Sequence, residues 1–254
     1  MCFRVAAWRR MIRTVSHSMF NVAMPISLSN RFAHSFQRIG LVALPTLLLL
    51  IFVMHFRHLA DFLSFHLEYT PRAPADVVPQ LIAAGNRWPM LHEPHMIAYL
   101  SLPLFLLAAF ALYSLGRAVR PHASAIGLSI TLTGTIYLGG LFGMWTAFFR
   151  GFGNVDPQYT DGAIATFAAL TAPTGAFLLT TALAKLAFLG LAVQALALLG
   201  TRVVPAWAPP LVAAGCSLFL AFWDLDNWMF VGSLCMLAGF VPMTKPTGSG
   251  GSGT

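Results

Sequence analysis

Apolar residues in this chain neither alternate with polar ones nor keep to one helical face. They form long blocks, over roughly 39–54, 94–116, 123–148, 176–200, 206–223 and 228–243, separated by stretches where the polar residues collect. About 20 helical residues cross about 30 Å of hydrocarbon with every backbone group bonded inside the segment, so a block of this kind reads as a transmembrane helix. The pattern predicts an all-α, polytopic membrane helix bundle with about six transmembrane helices, occupying 39–243.

The connecting segments refine that layout. The loop 55–93 is long for a helix bundle, and Pro71, Pro74, Pro79 and Pro89 among its polar residues predict one or two short surface helices rather than another crossing. The apolar stretch 163–200 would run about 57 Å as one helix, too long for a single span. Pro173 and Gly175 divide it, which leaves two expectations: an interfacial or re-entrant segment over 161–172 followed by the fourth span, or one tilted helix kinked at Pro173. In the third span Gly139 and Gly143 form a GxxxG pair, a spacing that lets helix backbones approach closely, and packing inside the bundle is its expected use. Residues 1–38 read as a basic amphipathic cytoplasmic arm, with a transit-like leader or a start at Met19 or Met24 as competing accounts. Residues 244–254 end in a Gly/Ser tract and are expected to be disordered.

Composition agrees with the blocks. The chain is 57% apolar and 9% charged, with a mean hydropathy of +0.74, whereas soluble domains carry about 25% charged residues. Charge then predicts orientation. Arg4, Arg9, Arg10, Arg13, Arg31 and Arg38 precede the first span with no acid among them, which places the N-terminus in the cytoplasm by the positive-inside rule. Six crossings return the C-terminus to the same side. That side also receives Arg117, Arg120, Arg202 and Lys245, while the outer side receives Arg57, Arg72, Arg87 and Arg150. All the acids, Asp61, Glu68, Asp76, Glu93, Asp156, Asp161, Asp224 and Asp226, fall outside. In a soluble protein a net charge of +7 would point to nucleic acid. Here the excess faces an anionic leaflet, so membrane lipids are the expected partner, with membrane protein partners or a homo-oligomer beside them and no nucleic acid. Cys2, Cys216 and Cys235 form no CxxC pair and read as packing residues. Trp88, Trp145, Tyr159, Trp223 and Trp228 are expected in an outer aromatic belt, and Trp207 and Tyr113 in an inner one.

Two constellations could carry chemistry. Lys185 is the formal charge left inside a span. A lysine at mid-membrane costs roughly 2.5–3.5 kcal/mol on insertion scales, so it should find a partner or reach the interface, and Asp224 and Asp226 at the outer ends of the last two spans are its natural counter-ions. A snorkelling lysine without a pair is the plainer account. The second constellation is histidine-rich: His55-x-x-His58 at the end of the first span and His92-x-x-His95 at the start of the second, near His66, Asp61, Glu68 and Glu93. Three or four such donors could hold zinc or copper, and a histidine pair could hold haem. The same residues also serve as the polar collar of a membrane helix, with Pro94 in its first turn. The chain contains no G-x-S-x-G, P-loop, H-E-x-x-H or Gly-rich dinucleotide turn, so soluble-type catalysis is not expected.

Arg38-Ile39-Gly40, Leu112-Tyr113-Ser114-Leu115-Gly116-Arg117 and Val204-Pro205-Ala206-Trp207 together resemble uncharacterised six-helix bacterial integral membrane families, over roughly 38–243. The resemblance implies a multi-pass protein of the bacterial inner membrane and brings no activity or site residues. The expected function is non-enzymatic: binding or moving a small solute or lipid through a bundle cavity near Lys185, Asp224 and Asp226. The alternatives are an accessory or structural subunit of a larger membrane complex, and a metal- or haem-binding redox protein built on His55, His58, His92 and His95.

Overall fold

The computed structural model describes residues 26–55, 63–67, 72–84 and 92–245. The chain divides into two compact units after Phe36. The first contributes only the start of helix α1 (Ile26–His55) to the described residues, and the second holds the rest of α1 and every later element. The remaining helices are α2 (Pro74–Ala84), α3 (His92–Leu100), α4 (Leu102–Gly116), α5 (Pro121–Phe152), α6 (Thr160–Thr171), α7 (Gly175–Ala184), α8 (Leu186–Ala197), α9 (Ala208–Ala221) and α10 (Asp226–Met243). The all-helical expectation is met, with no strand among the described residues.

The breaks follow local chemistry. Pro103 lacks the N–H that would continue α3 into α4, and the pair bends by 43° there. Buried Ser101 at the bend donates its hydroxyl to the Ala98 carbonyl at 2.6 Å. α6 ends at Thr171, and α7 begins at Gly175, whose φ of +56° a side chain would oppose. The expected division at Pro173 and Gly175 is therefore a break between two helices. α7 and α8, by contrast, form one apolar run from Gly175 to Ala197, with Lys185 at the joint in helical geometry (φ −60°, ψ −25°).

Among the described residues two helices, Pro121–Phe152 and Gly175–Ala197, are long and apolar enough to cross a membrane, and the bent pair α3–α4 makes a third if counted as one span. Ile39–Met54 and Ala208–Ala221 are shorter apolar helices. This fits a membrane protein.

A continuous core joins α1, α4, α5, α8, α9 and α10 around Leu44, Phe105, Leu138, Leu191, Phe219 and Phe240, none more than 1% exposed. α5 packs along α4 and the α7–α8 run, α8 continues onto α9, and α9 pairs with α10. A smaller cluster, Val78, Leu81, Phe152, Ala163 and Phe167, ties α2 and α6 to the end of α5.

The close helix crossings are not where the GxxxG pair predicts them. A Cβ at Gly143 would meet Tyr99 at an ordinary 3.5 Å, and one at Gly139 would meet only the tip of Leu102. Both glycines line an open apolar groove of about 540 Å³ between α3–α4 and α5. The tight contact lies further back on α5. A Cβ at Gly134 would run into the backbone of Ala187, and one at Gly190 into Thr131. Gly215 and Gly232 make a second tight contact between α9 and α10, each occupying the space a side chain on the other would need. The spacing Gly127, Thr131, Gly134 on α5 against Ala187, Gly190, Gln194 on α8 is the signal that GxxxG did not capture.

Gln194 completes that crossing. Fully buried, it donates from Nε2 to the Ala109 carbonyl of α4 at 2.9 Å, and its Oε1 lies 3.4 Å from the Thr131 hydroxyl of α5. Thr131 has one proton and a closer acceptor, the Gly127 carbonyl at 2.9 Å, so the bond to Gln194 is the weaker branch of a shared donor. One side chain thus links three helices where the alternative is an amide in an apolar interior.

Candidate functional site

The end of the bundle near Gly116, Ser124 and Leu198, which pack together, carries Arg117, Arg120 and Arg202, all exposed. The other end carries every acid among the described residues. Lys185 belongs toward this acidic end. It stands 13 residues from Leu198, about 20 Å along the helix, and its Nζ lies 5.6 Å from the centre of the Trp223 ring. One turn further along, Phe188 stacks on Phe219 at 4.1 Å with the planes 10° apart, and touches the edge of Trp223 at 6.2 Å. Lys185 therefore lies against an aromatic wall, with the ring face offering the ammonium a cation–π contact.

The turn beside it is short. α9 ends at Ala221, and α10 starts at Asp226. Asp224 adopts a left-handed φ of +70°, which aspartate tolerates better than most residues. Asp226 sits in the first turn of α10, where a carboxylate complements the helix dipole. Each acid thus has a local structural reason to stand in the turn, and each adds negative charge next to Lys185. Burial pushes the Asp224 carboxyl up from 3.8 to about 6, the charge of Asp226 adds to that rise, and Lys185 opposes it. Asp224 as a whole residue stays exposed, so water screens its charge and the direction of the effect matters more than its size.

The turn lies at the level of Lys185, whose ammonium meets Trp223. α7 continues from Lys185 toward Gly175 for ten residues, about 15 Å, and α5 continues past its contact with Ala187 at Gly134 for 18 residues to Phe152, about 27 Å.

A piece of the long loop is fastened to the same turn. Trp228 Nε1 donates to the His66 carbonyl at 2.8 Å, and Asn227 Nδ2 to the Ser64 carbonyl at 3.2 Å. Phe65 meets Trp228 edge-on at 5.1 Å, and Trp228 stacks on Phe222 at 4.7 Å.

The histidines are placed differently. His95 lies among aromatic rings of α5, 4.9 Å from Phe149, 6.1 Å from Trp145 and 6.5 Å from Phe142. Trp145 is itself a packing residue that stacks on Phe149 and touches Phe148, Phe167 and Phe177, rather than a free belt residue. His66 is exposed. His58 lies outside the described residues, as do the side chains of His55 and His92, the arm 1–25, Trp88 and the tail 246–254. Among the described residues no group of three or more histidines, cysteines or acids converges as a metal site would. No family model, no curated protein and no solved structure matches the chain.

Proposed function

We propose that the chain is a six-crossing protein of the bacterial inner membrane with both termini cytoplasmic, and that it binds or moves a small solute or lipid, without enzymatic chemistry, at the cluster of Lys185, Trp223, Asp224 and Asp226. The observation that carries this reading is the Lys185 ammonium on the Trp223 face, beside the turn with two carboxylates. Charges so placed within an apolar bundle act as a functional group by default. Two of the six crossings use helices shorter than about 30 Å, α9 at about 21 Å and α10 at about 27 Å, which local thinning of the bilayer accommodates. The test is a thermal-shift screen of purified protein against small amines, carboxylates and lysophospholipids. Stabilisation that disappears in Lys185→Met supports the site; a panel without shifts, or with shifts equal in the variant, removes it. Topology is tested by reagent labelling of cysteines placed at Gln80 and Val119 in intact cells, where only position 80 should react from outside.

A second reading, an accessory subunit, is favoured by the open groove along Gly139, Gly140 and Gly143, where Ile136 is 74% exposed. Co-purification with a fixed partner in mild detergent would favour it over transport.

A further inference from the structure

We infer that the basic end of the bundle holds a site for the phosphate of an anionic phospholipid, built from Arg117 and Arg120 on the α4–α5 loop and Arg202 on the α8–α9 loop. The site is independent of the Lys185 cluster, which belongs to the opposite end. Packing brings the two loops together: a Cβ at Gly116 would meet the Ser124 hydroxyl and then the tip of Leu198, so the ends of α4 and α8 touch the start of α5. Each loop is tied to that junction by its own backbone. The Gly116 carbonyl accepts from the amides of Val119 and Arg120 at 3.0 and 2.8 Å, and the Leu198 carbonyl accepts from the amide and the hydroxyl of Thr201 at 3.2 and 2.7 Å. Three guanidiniums therefore stand on two short, fixed connections that leave the same helix junction.

The chain supplies no anion here. The three arginines are exposed, and among the described residues none of them has an ion pair and no acid stands at this end. Arg117 and Arg202 complement the negative ends of α4 and α8, which they follow. Arg120 does the reverse. It is the N-cap of α5, where no side chain caps the free amides, no acid occupies the first turn, and a cation opposes the helix dipole. In that turn Ser124, 1% exposed, keeps a hydroxyl without a partner at the foot of the same loop. Arg202 holds φ at +61°, a left-handed conformation that any side chain opposes. Uncapped helix amides and arginine forks are the groups that hold phosphate oxygens. The source of the phosphate follows from the neighbours. Trp207 and Leu199, 57% and 47% exposed, flank Arg202 along the chain. A lipid brings acyl chains to cover such side chains while its phosphate meets the cations, whereas a free phosphate leaves them bare.

The test titrates the full chain in mild detergent with phosphatidylglycerol and counts bound lipid by native mass spectrometry, with phosphatidylcholine and inorganic phosphate as the other two arms. Phosphatidylglycerol should bind about tenfold more tightly than phosphatidylcholine, and Arg117→Gln, Arg120→Gln and Arg202→Gln together should weaken it on the order of a hundredfold. Should the triple variant fail to fold, the three single variants take its place, each expected to lose about fivefold. Arg150→Gln, an exposed position at the acidic end, should leave the affinity unchanged. The arginines that precede the first span are the same in every chain, so any lipid they bind subtracts out. An affinity equal in the parent and the arginine variants, or equal for the two lipids, would overturn the site. Inorganic phosphate that displaces phosphatidylglycerol at equal concentration would overturn the lipid as its ligand.

Discussion

Two stretches of the same helix, α5, treat glycine in opposite ways. Around Gly127 and Gly134 the missing side chains are filled by the backbone of α8, and Gln194 ties α4, α5 and α8 together across the gap. Around Gly139, Gly140 and Gly143 the missing side chains leave a groove facing outward. Spacing does not separate the two cases. What separates them is the partner: α8 offers Ala187 and Gly190 at the level where α5 is bare, whereas Tyr99 and Leu102 on α3–α4 stand at the groove and hold the helices apart. A small residue permits close approach, and only a second small face makes use of it.

The contrast breaks most readily at position 134. Gly134→Leu forces a side chain into the Ala187 backbone and should cost about 3 kcal/mol, seen as loss of folded protein on detergent denaturation. Gly143→Leu should change stability by no more than about 0.5 kcal/mol. Equal losses in the two variants would mean that the groove is filled by a partner in the membrane.

A smaller effect is expected at the polar clamp. Gln194→Leu gives up the bond to the Ala109 carbonyl and leaves that carbonyl to its own helix, a change worth about 1 kcal/mol in a membrane interior. Thermal denaturation in detergent measures it, and an unchanged midpoint would mean that Gln194 does not hold the three helices together.

At the acidic end, Lys185→Met alone strands two carboxylates beside an apolar wall, and about 1 kcal/mol of destabilisation is expected after allowance for solvent screening. The same substitution with Asp224→Asn and Asp226→Asn should be milder than the single change. Strictly additive effects in that cycle would dissolve the pairing.

The smallest effect is a pH dependence. The folded-state carboxyl of Asp224 is raised to about 6, so between roughly pH 4 and 6 the folded chain holds a proton that the unfolded chain has lost. Its contribution to stability is greatest below that window and falls as pH rises through it. Asp224→Asn should flatten the thermal midpoint over this range relative to the parent chain, whereas a parent midpoint that rises between pH 4.5 and 6.5 with no difference from the variant would remove Asp224 as the cause.

The sequence by itself determined the helical class, because long apolar blocks can satisfy their backbone only as helices, and it located the break at Pro173 and Gly175, because both residues act on their own backbone. It also singled out Lys185, Asp224 and Asp226, since charges in an apolar chain stand out without any knowledge of neighbours. Tertiary structure decided everything that depends on a second element. Gly127 and Gly134 became a crossing because α8 presents Ala187 and Gly190 opposite them, and Gln194 became a clamp because the Ala109 carbonyl lies within 2.9 Å. Lys185 met Trp223 because α9 ends at that level, and His66 became an acceptor for a tryptophan 162 residues away. Backbone geometry is local and legible one residue at a time; which face meets which is a property of pairs distant in sequence, and one chain read alone carries no record of the pairing.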